Sequence, residues 1–477
     1  MGDAPRKFEN NTRLLGGTEQ NWCKAVAVGT GITTLALQIS KEPDIPKFKK
    51  ALQKLQNDHP NLNTMLHKNT STGTTCFIIN PPIPHLRLNI MSQSKTTELL
   101  QTLMSQGSNA SMSPLHVILE HELNINEWSD ISSRSLSMGG LHLWFANVYT
   151  LPDKKWVLVL RLHAGICDRT TAVSLLKELK EAMGEKLEGG AAGHYKEKGN
   201  VGIEELIPIG KAKKTLWAHG KDMLSYSVNS LRLTNLKFKD VKSPRYSEVL
   251  RLKMNAHETH MLLAGCKLRG IKLSGALAAA TLLAAYPSKR RPSSNHGKKY
   301  GVVFLNDCRS YLQPALSIHE FGFYHSTISN SHEVKGEETL WDLATKIYMT
   351  FENSKNNNKH FTDMADLNFL MTKAIENPSL TPSSSLRTSL VSVFEDPVIE
   401  TSSDAEREFG LDDYIGCASA HGVGPSIALF DTVRDGLFDC ACVYPAPLHS
   451  RQQIQELLDS MKFHLLEGIK MDEKLQI

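Results

Sequence analysis

The sequence predicts an α/β (α+β) protein of two lobes, each a mixed sheet with flanking helices. The chain has 477 residues, well above the roughly 250–300 at which one hydrophobic core stops growing. Strand-like apolar runs alternate with helix-like periodic segments in both halves. Between residues 188 and 238 the composition shifts to glycines and Lys/Glu clusters, which is typical of a linker. We therefore expect lobes at 1–187 and 239–477.

Composition narrows the class of protein. The chain is 41% hydrophobic and 22% charged, and no segment approaches the roughly 18–20 apolar residues that span a bilayer. A net charge of +4 is far from the dense basic face that nucleic-acid binding needs. The first twenty residues are polar and lack the apolar stretch of a secretory signal. We expect a cytoplasmic protein with neither a nucleic-acid nor a membrane partner.

The eight cysteines are scattered without a CxxC pair or nearby histidine ligands. This spacing argues against structural zinc and against a disulfide framework. We expect buried thiols and no metal site.

The first predicted elements are strands followed by a helix. Asn21–Ile39 is rich in apolar and β-branched residues around a glycine turn signal at Gly29–Gly31, which predicts one or two strands. In the segment IPKFKKALQKLQNDHP, apolar residues recur at helical spacing from Phe48 to Leu55. Pro60 stops this helix.

A strand, loop and helix unit follows in the first half. Leu141–Tyr149 and Trp156–Leu162 are apolar runs joined by a polar turn, so we expect an antiparallel pair. The second run is apolar on both faces and should lie centrally in a sheet. After the loop HAGIC, the segment RTTAVSLLKELKEAM has helical periodicity, with Asp168 as its N-cap.

The second half repeats the alternation. Helices are predicted in LSGALAAATLLAAY and around Leu340–Phe351, and strands at Tyr300–Leu305, Ser426–Phe430 and Asp439–Val443.

The candidate chemistry lies at the strand-to-helix junction His163–Arg169. A histidine with an ordinary pKa near 6.5 can take a proton from a hydroxyl or amine that attacks a thioester. A carboxylate five positions later caps the helix or holds an arginine. The alternative is a histidine that only forms structural hydrogen bonds.

His163–Asp168 resembles the HHxxxDG signature of peptide-synthetase condensation domains and related acyltransferases of the chloramphenicol-acetyltransferase-like superfamily. The segments RLLGGTEQNW, FLNDCRSYLQPALSIHEFGFYHS and SAHGVGPSIALF resemble other parts of that superfamily, in the same order, so the resemblance spans nearly the whole chain. The sequence looks closest to a plant family described loosely as alcohol acetyltransferases or condensation-domain-like proteins, distantly related to BAHD acyltransferases.

The resemblance implies two chloramphenicol-acetyltransferase-like lobes that meet at a central tunnel. It implies a monomer that transfers an acyl group from an acyl-CoA thioester to a hydroxyl or amine of a small molecule, in plant specialised metabolism. Acyl-CoA would be a co-substrate, with no bound cofactor. In the signature the second histidine is the general base and the aspartate is structural, which assigns Asp168 the structural role.

The sequence departs from this signature where the base is expected. Alignment on Asp168 places His163 on the first histidine and Ala164 on the second, and Arg169 replaces the glycine. Either the loop shifts so that His163 acts as the base, or His421 serves instead. The remaining alternative is a catalytically degenerate protein that binds acyl-CoA, a small molecule or a partner enzyme, or that catalyses another condensation or cyclisation.

Further candidate residues surround this loop. By resemblance, Arg309 tethers Asp168 or braces the lobe interface; the alternative is a solvent-facing arginine. The glycine-permissive turn at Gly422 and the hydroxyl of Ser426 suit close ligand approach and a developing oxyanion, or only a tight turn. We also assign substrate contacts to Ala164, Gly165 and Ser326.

The basic segment SKRRPSSNHGKK is a candidate for the phosphates of CoA. Its relevant cations are Arg290, Arg291 and Lys298. The alternative is an ordinary solvated surface loop. Other histidines, including His319 and His325, are interpreted as packing or surface residues.

Overall fold

The computed structural model describes residues 12–69, 72–79, 86, 88–105, 112–131, 140–184, 201–215, 217–220, 223, 233–286 and 297–475. Its strands are β1 (Thr12–Leu14), β2 (Thr30–Ile39), β3 (Thr64–Lys68), β4 (Thr75–Ile79), β5 (Leu88–Met91), β6 (Leu141–His142), β7 (Trp144–Thr150), β8 (Trp156–His163), β9 (Tyr246–Met254), β10 (Lys298–Asp307), β11 (His325–Val334), β12 (Arg387–Phe394), β13 (Val398–Glu400), β14 (Leu411–Ala420), β15 (Gly424–Arg434) and β16 (Leu437–Ala446). Its helices are α1 (Gly17–Ala27), α2 (Ile45–Asp58), α3 (Gln93–Ser105), α4 (Pro114–Asn124), α5 (Arg169–Gly184), α6 (Ile203–Leu206), α7 (Ala256–Leu268), α8 (Leu273–Ala285), α9 (Leu340–Asn356), α10 (Lys359–Thr362), α11 (Met364–Glu376), α12 (Asp404–Phe409) and α13 (Arg451–Leu475).

These strands form three sheets, which confirms the predicted mixed α/β class. A five-stranded sheet has the order β14-β2-β8-β7-β5, and a four-stranded sheet has the order β1-β4-β3-β6. A seven-stranded sheet has the order β11-β10-β12-β15-β16-β9, with β13 paired to β15. Because β14 comes from the second half of the chain and pairs with β2, the two halves are joined through the five-stranded sheet. The lobe boundaries at 187 and 239 remain predictions.

The strand and helix unit around the candidate loop is confirmed. β7 and β8 pair antiparallel, and β8 lies in the middle of the five-stranded sheet. The side chain of Asp168 accepts from Thr171 N at 2.8 Å and caps α5. The first strand of this pair begins later than predicted, at Trp144 instead of Leu141, because Leu141 and His142 form β6 and pair with β3 in the four-stranded sheet.

One element prediction is wrong. Asn21–Ala27 is not a strand but the second part of α1. The side chain of Glu19 accepts from Gly16 N at 2.8 Å and satisfies one N–H group at the start of this helix. Cys23, Ala25 and Val26 are buried on its inner side. A short apolar run is compatible with a helix or a strand, so its tertiary contacts determine which of the two it forms.

The other element predictions agree with the structure. The helices predicted near 46–58, 273–286 and 340–351 correspond to α2, α8 and α9. The strands predicted near 300–305, 426–430 and 439–443 lie within β10, β15 and β16. All eight cysteines are buried and remain thiols. Among the described residues no single helix is long and apolar enough to cross a bilayer, and α7 and α8 reach that length together only across a 104° bend.

Candidate active site

A cavity of about 610 Å³ lies between the five-stranded and seven-stranded sheets. Its wall includes residues of β2 and β14 on one side and of β10, β11, β12 and β15 on the other. Helices α1, α5 and α11 complete it with mainly apolar side chains. The volume is within the range of small-molecule sites.

Some residues of the loop from His163 to Asp168 line this cavity, and others are buried in the core. Ala164, Cys167 and Asp168 line the cavity, whereas His163 and Gly165 are not among the lining residues. The glycine Gly31 faces the loop, and a Cβ atom there would lie 2.9 Å from Ala164 Cβ. Ala164 therefore presents only a methyl group where the resemblance places the base.

His163 is turned into the core of the first half. Its side chain is fully buried, and its ring packs edge-on against Trp128 with centroids 5.2 Å apart. Nδ1 accepts from Gly165 N at 2.9 Å, and Nε2 has no hydrogen-bond partner. Burial lowers the pKa of His163 to about 3. The role of His163 as a shifted base remains a prediction, and this geometry gives it no support.

His421 also lies outside the cavity lining. Its Nδ1 lies 3.0 Å from Ser247 Oγ, and the Nε2 side of its ring fills the space that a Cβ atom at Gly29 would occupy. Burial, followed by the nearby charges of Arg387 and Arg245, lowers the pKa of His421 to about 4. In this position the ring supports the turn between β14 and β15.

Asp168 is the centre of a buried polar network. Arg309 donates to its carboxylate in bidentate form, Nη1 to Oδ2 at 2.9 Å and Nη2 to Oδ1 at 3.1 Å. The main-chain N–H of Tyr324 donates to Oδ2 at 2.8 Å. Burial alone would raise the pKa of Asp168, but Arg309 and then His325 hold it well below its ordinary value. Arg309 is itself buried, so the solvent-facing alternative is wrong.

His325 is the residue that the sequence interpretation missed. It begins β11, is almost fully buried, and lines the cavity. Its Nδ1 lies 3.0 Å from Asp168 Oδ2, although the approach is off the ideal hydrogen-bond direction. With Nδ1 next to the carboxylate, Nε2 is the ring nitrogen left for the cavity. The available signal was its place within the quoted segment HEFGFYHS, directly before Ser326.

The other sequence candidates are placed as follows. Ser326 lines the cavity, and its hydroxyl donates to the carbonyl of His360. Gly422 and Ser426 are not among the lining residues, and the buried Ser426 hydroxyl has no hydrogen-bond partner. Their roles remain predictions that the geometry does not favour. His319 is partly exposed and bonds to Glu178 at 2.8 Å, as a surface residue should.

Of the three cations proposed to hold the CoA phosphates, only Lys298 belongs to the part of the chain that the structure describes. Arg290 and Arg291 lie outside the described residues. Lys298 is the first residue of β10 and is not among the cavity lining. The assignment to CoA phosphates therefore remains a prediction.

Two facing sheets, a cavity between them and a His–x₄–Asp loop at its wall define the chloramphenicol-acetyltransferase-like fold, as the resemblance implied. Among solved structures the chain is similar to the trichothecene 15-O-acetyltransferase of Fusarium sporotrichioides, with 10% identity over 96% of this chain and 95% of that one and a TM-score of 0.66.

Two peptide-synthetase domains show the same likeness. The epimerization domain from the third module of tyrocidine synthetase B has 14% identity over 96% of each chain, with a TM-score of 0.61. The first condensation domain of the calcium-dependent antibiotic synthetase has 12% identity over 96% of each chain, with a TM-score of 0.59. No protein-family model and no curated protein matches the sequence. At these identities the likeness shows the fold.

Proposed function

We propose that this protein is an acyltransferase that moves an acyl group from an acyl-CoA thioester to a hydroxyl or amine of a small molecule, with His325 as its general base. The observation that carries the proposal is the pair of His325 and Asp168 on the wall of the cavity. The similar acetyltransferase and condensation domain support a transfer or condensation reaction in this fold. The plant setting, cytoplasmic location and monomeric state are part of the same proposal.

The pair has the arrangement that a general base needs. A proton on Nδ1 faces the Asp168 carboxylate, which leaves the lone pair of Nε2 available to the cavity. Arg309 donates to both carboxylate oxygens, so Asp168 orients the ring and stays ionised. Catalytic hydrogen bonds are often poorly aligned before substrate binds, and the off-line approach of Nδ1 is consistent with that.

The proposed reaction balances without an oxidant, a reductant or a metal. Nε2 takes the proton of the acceptor hydroxyl or amine as its oxygen or nitrogen attacks the thioester carbonyl carbon. The tetrahedral oxyanion then collapses, and the carbon–sulfur bond breaks. The imidazolium returns its proton to the departing thiolate, which leaves an ester or amide and free CoA thiol.

The cavity wall favours this step over hydrolysis. Phe323 and Phe394 pack near the His325 ring, with centroids 6.3 and 6.0 Å away. Both also line the cavity. Apolar walls exclude water from the thioester and strengthen the electrostatic contact between the ring and the carboxylate.

The test is release of free CoA thiol by the purified full chain, with acyl-CoAs of increasing length and a panel of hydroxyl and amine acceptors. We expect release that depends on the acceptor. Release that is equally fast without any acceptor indicates a hydrolase and contradicts the proposal. A complete absence of turnover across the panel also contradicts it.

The second candidate is a binding protein that has kept the fold and lost the reaction. The specific observation in its favour is that Ala164 faces the cavity at the position of the usual base. This candidate predicts that acyl-CoA raises the melting temperature, because a ligand that binds only the folded state stabilises it. It predicts no thiol release with any acceptor.

A further inference from the structure

Arg387 is a buried cation that has no ion-pair partner among the described residues. It is the first residue of β12, is 1% exposed, and lines the cavity. Nε donates to the carbonyl oxygen of Ser385, and Nη1 donates to those of Ala420 and Pro425. Nη2 has no acceptor. Arginine is almost never fully buried unless it is paired, so this position needs a physical explanation.

A second guanidinium group, that of Arg245, shares an acceptor with Arg387 but is not among the residues that line the cavity. Nη1 of Arg245 donates to the Ser385 carbonyl at 2.6 Å, the oxygen that also accepts from Arg387 at 3.2 Å. The second nitrogen of Arg245 donates to the Ser384 carbonyl at 3.1 Å. Two like charges that share one acceptor repel each other in a region of low dielectric constant. Burial and then Arg245 lower the pKa of Arg387 to about 9.

The two neighbouring histidines, His421 and His449, do not compensate the positive charges of Arg387 and Arg245. Burial, followed by the charge of Arg387, lowers the pKa of His421 to about 4 and that of His449 to about 3. Both rings are therefore neutral at pH 7. The charges that act on these rings are those of the two arginines, and in the part of the chain that the structure describes no carboxylate pairs with either arginine.

The adjacent chain also forms part of the cavity wall. Thr381, Pro382, Gly424 and Pro425 line the cavity beside Arg387. In the segment just before β12, three non-glycine residues have positive φ, with values of 52° at Ser383, 53° at Ser384 and 60° at Leu386. Such strain persists only where the surrounding structure imposes it, and it is common at ligand clamps.

A purely structural role explains only part of this arrangement. The bonds to Ala420 and Pro425 fasten the turn between β14 and β15. A neutral donor would do the same at a lower desolvation cost, because an uncompensated buried charge is strongly unfavourable. These hydrogen bonds also leave Nη2 of Arg387 without an acceptor.

We propose that Arg387, with the charge of Arg245 beside it, forms a binding site for an oxyanion group, a carboxylate or a phosphate, carried by a substrate of the cavity. This rests on the proposed acyl-transfer function, because it defines the substrate as anionic. The anion completes the hydrogen bonds of Nη2 and neutralises the two guanidinium groups. Its source is a carboxylate on the acyl group or acceptor, or a phosphate of CoA.

The test is binding to the purified full chain by calorimetry and thermal melting. The probes are succinate, inorganic phosphate, CoA and the phosphate-free thioester acetyl-N-acetylcysteamine. The variants are Arg245→Gln, Arg387→Met and, as a charge-matched control at an exposed surface position, Arg407→Gln. We expect at least one anionic probe to raise the melting temperature of the wild type and of Arg407→Gln. In Arg245→Gln its affinity should fall at least tenfold.

The pattern across probes identifies the source of the anion. Stabilisation by succinate but not by phosphate points to a carboxylate, and stabilisation by phosphate and CoA points to the co-substrate. Stabilisation by none of the anions overturns the inference, and so does equal affinity in the wild type and Arg245→Gln. If Arg387→Met does not fold, Arg245→Gln alone decides the result, because Arg245 is only half buried and its hydrogen bonds go to two main-chain carbonyls.

Failure of this inference is distinguishable from failure of the proposed function. Thiol release without any effect of anions leaves acyl transfer standing and removes the anion site. Anion binding that depends on Arg245, without thiol release from any acyl-CoA, leaves the site standing and removes acyl transfer.

Discussion

At the scale of residues, the surroundings of each histidine separate its role from that of the others. His163 and His325 both lie near the loop that ends in Asp168, but only His325 meets the carboxylate and the cavity. His163 packs against Trp128 and keeps Nε2 unbonded in the core. Spacing in the sequence cannot distinguish these environments. His163 ends β8 and lies in the core, whereas His325 begins β11, 162 residues later in the chain, and reaches the cavity.

Burial of His163 predicts a pH-dependent stability. Its folded-state pKa of about 3 lies below the ordinary value of about 6.5. Between these values the unfolded chain holds a proton that the folded chain lacks, so the free energy of unfolding falls as the pH falls. The group contributes at most about 1.4 kcal/mol per pH unit. Urea unfolding at pH 4.5 to 7.5 should give a shallower slope for His163→Leu than for the wild type.

The exposed His260 provides the control, and His260→Gln should keep the wild-type slope. An unchanged slope in His163→Leu contradicts the assignment of this ring as a buried neutral group. The buried His421 and His449 have lowered pKa values of the same sign, so part of the slope should remain in His163→Leu.

The pair of Arg309 and Asp168 predicts strong coupling. Arg309→Met leaves the buried carboxylate without its bidentate partner, and we expect a loss of about 3–5 kcal/mol in the free energy of unfolding. Combining it with Asp168→Asn should restore part of that loss, since the uncompensated charge is gone. A double-mutant cycle in urea measures the coupling. Simply additive losses would show that the two side chains act independently.

At the scale of elements, the sequence predicted the long periodic helices and the strand pair of the first half but misassigned α1. Its segment NWCKAVAV carries apolar and β-branched residues before a glycine turn, which favours a strand locally. The helix forms because Glu19 caps its start and because α1 packs beside the loop at Ala164 and against α11. These partners come from distant parts of the chain, so local patterns do not reveal them.

Gly31 fixes the contact between the start of β2 and the candidate loop. It has a φ of +96°, and an added Cβ would lie 2.9 Å from Ala164 Cβ and 2.9 Å from two ring carbons of Trp22. Gly31→Ala should cost about 1–2 kcal/mol for the backbone and a further 1–3 kcal/mol for overpacking. Denaturant unfolding measures the sum.

Gly210 is the matched control for this prediction. Its φ is +89°, and nothing lies within 4 Å of an added Cβ, so Gly210→Ala has the backbone cost alone. If the two variants lose equal stability, the close approach of Ala164 and Trp22 to Gly31 has no energetic weight.

At the scale of the whole molecule, one strand ties the two halves together. β14 comes from the second half of the sequence and pairs with β2 from Leu411–Ile39 to Ala420–Thr30. β2 is buried along nearly its whole length and lies between β14 and β8. The alternation of elements predicted two lobes but not this crossing, because the pairing joins segments that are more than 370 residues apart.

The pairing of β14 with β2 predicts that the first half of the chain does not fold by itself. A fragment of residues 1–238 lacks β14 and exposes the apolar edge of β2, which favours aggregation. We expect it to be insoluble alone and soluble when produced together with residues 239–477. Sedimentation and circular dichroism provide the measurement. A soluble, folded 1–238 fragment would mean that β14 is dispensable for the first half.

The central claim is that the cavity transfers acyl groups with His325 as the base, and the most direct measurement compares kcat/KM for CoA thiol release among histidine variants. His325→Ala should lose about 10²–10⁴-fold, the range typical of a general base. His163→Leu and His421→Ala should lose much less once their stability is matched by temperature. A loss confined to His163→Leu or His421→Ala, with His325→Ala fully active, would contradict the account.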